Sequence, residues 1–210
     1  MPPKPKPKEL KTARAFTMSE LINRKYDDVL LPGPLGDLVG NPELAGNWII
    51  WGPSGNGKTS FVLQLLKAFG TAGFKCIYNS LEESDGKTLQ AAAIRERMNE
   101  VSDKIIALRR ENLDDLKLRL ARHKSPRVVV IDSLQYTGIS YPRYKALKEE
   151  FSNKLFIWVS HADGREPAGR TARTIRYDCD VKIRVEGFVA YATSRYGGGT
   201  PYVISEEKAL

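Results

Sequence analysis

The apolar run Trp48–Trp51 passes directly into Gly52-Pro53-Ser54-Gly55-Asn56-Gly57-Lys58-Thr59, and this opens the helical stretch Phe61–Phe69. A strand, a glycine-rich turn and a helix in that order leave few folds open. The octapeptide matches G-x-x-x-x-G-K-[ST] without deviation, in the strand–helix context the pattern requires. Its glycines let backbone N–H groups curl inward around phosphate oxygens, and the helix N-terminus adds a favourable dipole. Lys58 is placed to reach the β- and γ-phosphates and the Thr59 hydroxyl to face a magnesium ion. Residues 52–60 are therefore the expected nucleotide contacts, and the expected ligand is ATP with Mg2+.

The surrounding pattern agrees. Short, apolar, mostly unalternated runs at Trp48–Trp51, Lys75–Asn79, Arg127–Asp132 and Leu155–Ser160 read as strands buried on both faces. Helical candidates at 58–70, 87–99, 111–123 and 142–152 lie between them. Such a βαβ series predicts an α/β P-loop NTPase fold with a mainly parallel central sheet flanked by helices. After Asp180 the texture changes. Asp180–Val185, Phe188–Arg195 and Tyr202–Ser205 read as successive strands joined by turns, a C-terminal antiparallel extension. The expected division is a basic, Pro/Lys-rich disordered tail over 1–14, a linker with a short helix over 15–46, and an ATPase core over 47–210. Thr17 and Glu20 have capping-box spacing, with Phe16 and Leu21 as a hydrophobic staple. Residues 31–47, rich in Pro and Gly, read as a loop.

Two further segments carry chemistry. Val128–Asp132 is a β-branched run that delivers a carboxylate to the C-terminal end of a buried strand, where open α/β sheets bind ligands. Asp132 is the expected second magnesium-holding residue. Tyr78–Glu83 runs a strand into two carboxylates near the same sheet edge, and a hydrolytic site needs a base or water-orienting group there. A pair of surface acids is the plain alternative.

Lys and Arg outnumber Asp and Glu by 33 to 25 among 210 residues, which favours polyanionic partners, above all nucleic acid, over a merely soluble basic surface. Cys76 and Cys179 fit no metal pattern and read as buried free thiols in a reducing compartment. No run approaches the roughly 18 apolar residues that span a bilayer. The start Met1-Pro2-Pro3-Lys4 does not read as a secretory signal, so the expectation is cytoplasmic, without a membrane partner.

With these parts in order, the chain resembles the RecA-like ATPases: RecA, RadA and DnaB-type helicases. Ser80-Leu81-Glu82-Glu83-Ser84 resembles the family's catalytic-glutamate segment, which puts Glu82 in the catalytic position. Val130–Leu134 resembles the Walker B strand. Trp158-Val159-Ser160-His161 resembles the strand ending in a γ-phosphate sensor, with His161 where relatives usually carry Gln. Asp163–Arg176 falls where the family has its mobile second DNA-binding loop, which implies nucleic-acid contacts from Arg165, Arg170, Arg173 and Arg176. Cys179–Arg184 and Tyr191–Gly199 resemble the closing strands. There the resemblance makes Arg195 a finger to a neighbour's ATP, with Thr193 where a Lys often stands. Phe16-Thr17-Met18-Ser19 resembles the segment with which recombinases dock on the next subunit, although capping explains the same residues.

The likeness spans about residues 40–205, and its near-bare core is similar to short single-domain recombinase-like proteins of phages and mobile elements. It implies an ATPase that binds single-stranded DNA as a homo-oligomer, ring or filament, in recombination, annealing or repair. A hexameric helicase motor and a nucleotide-dependent loader or switch that binds a partner protein are the alternatives.

Overall fold

The structure, a computed structural model, describes residues 14–83 and 85–209. The expected tail lies outside them except for Arg14, which pairs with Glu20 at 2.8 Å. Five parallel strands form the centre: β1 (Gly46–Gly52), β2 (Cys76–Ser80), β3 (Ile105–Arg109), β4 (Val128–Asp132) and β5 (Leu155–Asp163). They lie in the order β3-β2-β4-β5-β1. The sheet continues from β1 through β7 (Val181–Glu186), β8 (Val189–Ser194) and β9 (Tyr202–Val203). β7 is parallel to β1, and β8 and β9 are antiparallel additions. The strand order reverses beside β1, and the loops after β1, β2, β4 and β5 all emerge at one edge.

Apart from the edge strand β3, the central strands are mostly apolar because helices cover both faces. On one face, α2 (Pro34–Val39), α3 (Lys58–Thr71) and α4 (Lys87–Arg95) bury Trp48, Ile50, Phe61, Leu65, Val130 and Ile157. On the other, α5 (Leu113–Leu120), α6 (Tyr141–Glu150) and α7 (Arg170–Asp178) cover Ile49, Ile77, Val129, Ile131 and Trp158. The outer strands β7 and β8 alternate instead. Val181, Ile183, Val185 and Ala190 are fully buried in the first cluster, while Lys182, Arg184, Tyr191 and Thr193 point the other way.

Three local features differ from expectation. Residues 34–39, read as loop, form α2, with Pro34 in its first turn and Leu35, Leu38 and Val39 buried. β3 was not expected, although Ile105–Leu108 is a short apolar run; as an edge strand it fully buries only Leu108. β6 (Glu166–Pro167) pairs back on β5, and α7 follows it. The segment expected to be a mobile loop is thus a short hairpin and a helix, held down by Ala172 and Ile175. The capping box at Thr17 and Glu20 forms as expected, opening α1 (Met18–Ile22), which buries none of its own residues.

Gly52 shows how tightly the sheet holds the turn that follows it. A Cβ there would lie 2.1 Å from the Val185 carbonyl oxygen on β7. Gly52→Ala must push two paired strands apart, at a cost of about 1–3 kcal/mol, or roughly 2–12 °C in melting temperature. An unchanged melting curve would show that β7 yields freely.

Candidate nucleotide site

The turn after β1 is shaped by glycine. Gly55 and Gly57 sit at φ +75° and +96°, where other residues are strained, and a Cβ on Gly57 would meet the Phe188 ring at 2.8 Å. Asn56 ties this loop to the β7–β8 turn. Its Oδ1 accepts from the Gly187 N–H at 2.8 Å, and its carbonyl accepts from the Phe188 N–H at 3.2 Å. α3 then begins at Lys58, with its free N–H groups facing the loop. Ser60, within the first turn, accepts from Arg95 Nη2 at 2.8 Å and points toward α4.

Lys58 Nζ donates to the Pro53 carbonyl at 2.8 Å, closing the loop on itself. Burial lowers its pKa, opposed by the charges of Asp132 and Glu82. Asp132 ends β4 and is buried. Burial pushes its carboxyl up to about 6, assisted by Glu82 and Glu83 and opposed by the Tyr78 hydroxyl and Lys58. Tyr78 donates to Asp132 Oδ2 at 2.7 Å. Both strained charges are relieved by ligands of opposite sign: phosphate for Lys58, a divalent cation for Asp132.

The acidic pair divides. Thr59 Oγ1 donates to Glu83 Oε1 at 3.4 Å, and Thr88 Oγ1 donates to Glu83 Oε2 at 2.9 Å. Glu82 turns toward β5, where His161 Nε2 lies 3.4 Å from Glu82 Oε2 and 3.4 Å from Ser133 Oγ. His161 is opposite Gly52 in the β1–β5 register. Its N–H donates to Gln135 Oε1 at 3.2 Å, and Tyr136 meets its ring edge-on at 6.3 Å. The fold therefore brings Lys58, Thr59, Glu82, Glu83, Asp132 and His161 to one sheet edge.

No cluster of three or more His, Cys, Asp or Glu forms a closed metal cage among the described residues. Magnesium at a triphosphate needs none: it takes one or two protein oxygens and completes its shell with phosphate and water. The hard oxygens of Thr59 and Asp132 fit that requirement.

No family model matches the chain. It is 34% identical over 122 residues to the DNA repair protein RadA of Rickettsia bellii (strain RML369-C), a match covering 55% of this chain. The match spans about a quarter of RadA, 26% of its length. Two solved structures share most of the architecture. The flagellar accessory protein FlaH of Methanocaldococcus jannaschii aligns with TM-score 0.61 at 15% identity, covering 84% of this chain and 92% of that one. A KaiC-like protein of Pyrococcus horikoshii OT3 aligns with TM-score 0.62 at 17% identity, covering 85% and 94%. The fold is that of the RecA-like P-loop ATPases.

On this RecA-like fold the remaining sequence-derived residues fall in two groups, Arg195 at the far end of β1 and the arginines after β5, beside Trp51. Arg195 follows β8 at the opposite end of the sheet. Its N–H donates to the Asp180 carbonyl at 3.1 Å, its Nη1 to Asp180 Oδ1 at 3.0 Å, and Asp180 N–H donates to Asn47. The seven residues of β1 put roughly 20 Å between that level and the P-loop. Arg173 pairs with Asp163 at 2.5 Å, and Arg176 pairs with Glu166 and lies over the Trp51 ring at 5.5 Å. These two are already engaged within the RecA-like core. Arg165 shows no ion pair among the described residues, and Arg170 opens α7.

Sequence reasoning missed Tyr78 and Gln135. Tyr78 reads as one more apolar strand residue until the β2–β4 pairing brings it to Asp132. Gln135 joins Ser160, His161 and Ala168 only through the tertiary fold. The two cysteines are buried and free, and burial pushes the Cys76 thiol up to about 12.

Proposed function

We propose that this chain is a RecA-like ATPase that binds single-stranded nucleic acid in recombination, annealing or repair, as a homo-oligomer with ATP at its subunit interfaces. The observation that carries the ATPase reading is the convergence of Lys58, Thr59, Asp132 and Glu82 at one sheet edge. Residues 52–60 receive the triphosphate, with Lys58 on its terminal phosphates. Thr59 and Asp132 hold magnesium, which when bound neutralises phosphate charge. Glu82 orients or deprotonates the attacking water, and His161, in reach of Glu82 and Ser133, reports on the γ-phosphate end.

Nucleic-acid binding is supported by the name of the RadA relative and by four arginines on the hairpin and α7 beyond β5. Assembly is supported by the apolar side chains at α1: Phe16, just before its cap, and Met18 and Ile22 on it are 62%, 69% and 80% exposed, and α1 buries none of its own residues among the described residues. A cytoplasmic setting is in keeping with two free buried thiols. No helix of the described residues is long and apolar enough to cross a membrane. The likeness to a flagellar accessory protein favours one other reading, a nucleotide switch for a protein partner. The deciding experiment measures ATPase rate with and without single-stranded DNA alongside sedimentation. Stimulation with assembly supports the first reading, and nucleotide binding without any DNA affinity selects the second.

Glu82→Gln should retain ATP binding and lose about 100- to 10,000-fold in turnover, the usual cost of removing such a group. Glu83→Gln, whose carboxylate is tied to Thr59 and Thr88, should cost less. The reverse order in steady-state rates would transfer the role to Glu83.

A further inference from the structure

The strands added beyond β1 have two unlike faces. One is buried under α2; the other has no helix packed over it among the described residues, since α7 packs on β1. That uncovered face floors a groove of about 540 Å³, walled by Arg165, Glu166 and Arg176 and backed by Trp51. Lys182 stands opposite Thr193 and Arg184 opposite Tyr191 in the strand register, so cations and an aromatic ring alternate across the floor. The lining holds four cations and one acid. Arg176 pairs with Glu166, and Arg184 pairs with Glu186 at the rim. Lys182 and Arg165 have no ion-pair partner among the described residues. Tyr191 carries Arg184 5.4 Å from its ring centroid and remains 41% exposed.

Cations in excess over acids along one open groove, here Lys182 and Arg165, attract a polyanion. The exposed Tyr191 ring among them adds affinity for a ligand with flat rings beside its phosphates, the combination by which single strands are held without sequence preference. Lys182 and Arg184 project from one strand two residues apart, roughly 7 Å, a spacing suited to successive phosphates of an extended strand.

We propose that the β7–β8 groove binds single-stranded nucleic acid, its backbone on Lys182, Arg184 and Arg165 and a base against Tyr191. This rests on the nucleic-acid reading above and moves its centre from the α7 arginines to the outer sheet face. Neither Lys182, Arg184 nor Tyr191 belongs to the nucleotide site, so basal ATP binding serves as a folding control.

The test is fluorescence anisotropy of a labelled oligothymidylate against the full chain, over a range of salt. Lys182→Gln with Arg184→Gln should weaken binding at least tenfold and flatten the log–log salt slope by about 1.4, at about 0.7 per phosphate contact. Tyr191→Ala should weaken binding about fivefold to a hundredfold, as loss of one stacked base does, leaving the salt slope unchanged, and Tyr191→Phe should restore it. Wild-type binding that all these variants retain would overturn the groove while leaving the nucleic-acid reading intact. No binding by the wild-type chain in any nucleotide state would overturn both. Equal competition by inorganic polyphosphate, with Tyr191→Ala silent, would reduce the groove to an unspecific anion site and overturn the proposal. So would variants that alter sedimentation and not affinity, which would assign the face to contact with a second copy.

Discussion

In Lys58→Ala, ATP hydrolysis is expected to fall to background, a loss of more than about a thousandfold, with triphosphate binding weakened as well. The fold has already taken Lys58 partly out of water, which lowers its pKa, and its ammonium rests on the Pro53 carbonyl. A group held this way pays little reorganisation when phosphates arrive, and preorganised donors of this kind are worth about 100- to 1,000-fold each even when uncharged. Removing a cation has a second effect. Asp132 and Glu82 lose the positive charge that offsets their own, so the triphosphate enters a site of uncompensated negative charge. Circular dichroism and melting should show a folded protein, since Lys58 anchors no packing. A folded Lys58→Ala variant with undiminished turnover would reject the site.

Arg195→Ala is the second large expected loss, about a thousandfold or more in turnover if the arginine reaches γ-phosphate in trans. Its position decides the geometry. It is 64% exposed at the side chain, lightly held by Asp180, and separated from its own P-loop by the length of β1. It cannot serve the site it is encoded with, so any role at a phosphate requires another copy. Mixing separates the cases. A Lys58→Ala subunit keeps its Arg195, and an Arg195→Ala subunit keeps its P-loop, so the two inactive variants combined should recover part of the activity. Mixtures that stay inactive over a range of ratios, while subunits demonstrably exchange, would leave Arg195 as a surface residue.

The nucleotide edge was legible because its signals are local. The P-loop, the β-branched run into Asp132 and the strand into Glu82 each declare position within a dozen residues, and the parallel sheet then gathers them. The helix at Arg170–Asp178 was not legible in the same way. Gly164 and Gly169 with four arginines read as open loop, yet Ala172 and Ile175, three residues apart, dock the segment on the sheet. α2 was hidden by the Pro and Gly that cap it at either end. The β7–β8 groove was half visible. The alternation Val181-Lys182-Ile183-Arg184-Val185 announced a two-faced strand, but that its polar face lacks a covering helix depends on where α7 packs.

The two margins of the sheet bear on how copies of this chain can meet. β9 is only two residues long and follows Pro201, and β3 ends in Arg109 and is flanked by Lys104 and Arg110. Short, proline-led or positively charged margins resist the addition of a further strand from another molecule. Open-ended backbone pairing, the route to insoluble cross-β aggregates, is disfavoured at both. Any assembly of this chain is left to side-chain contacts rather than shared strands.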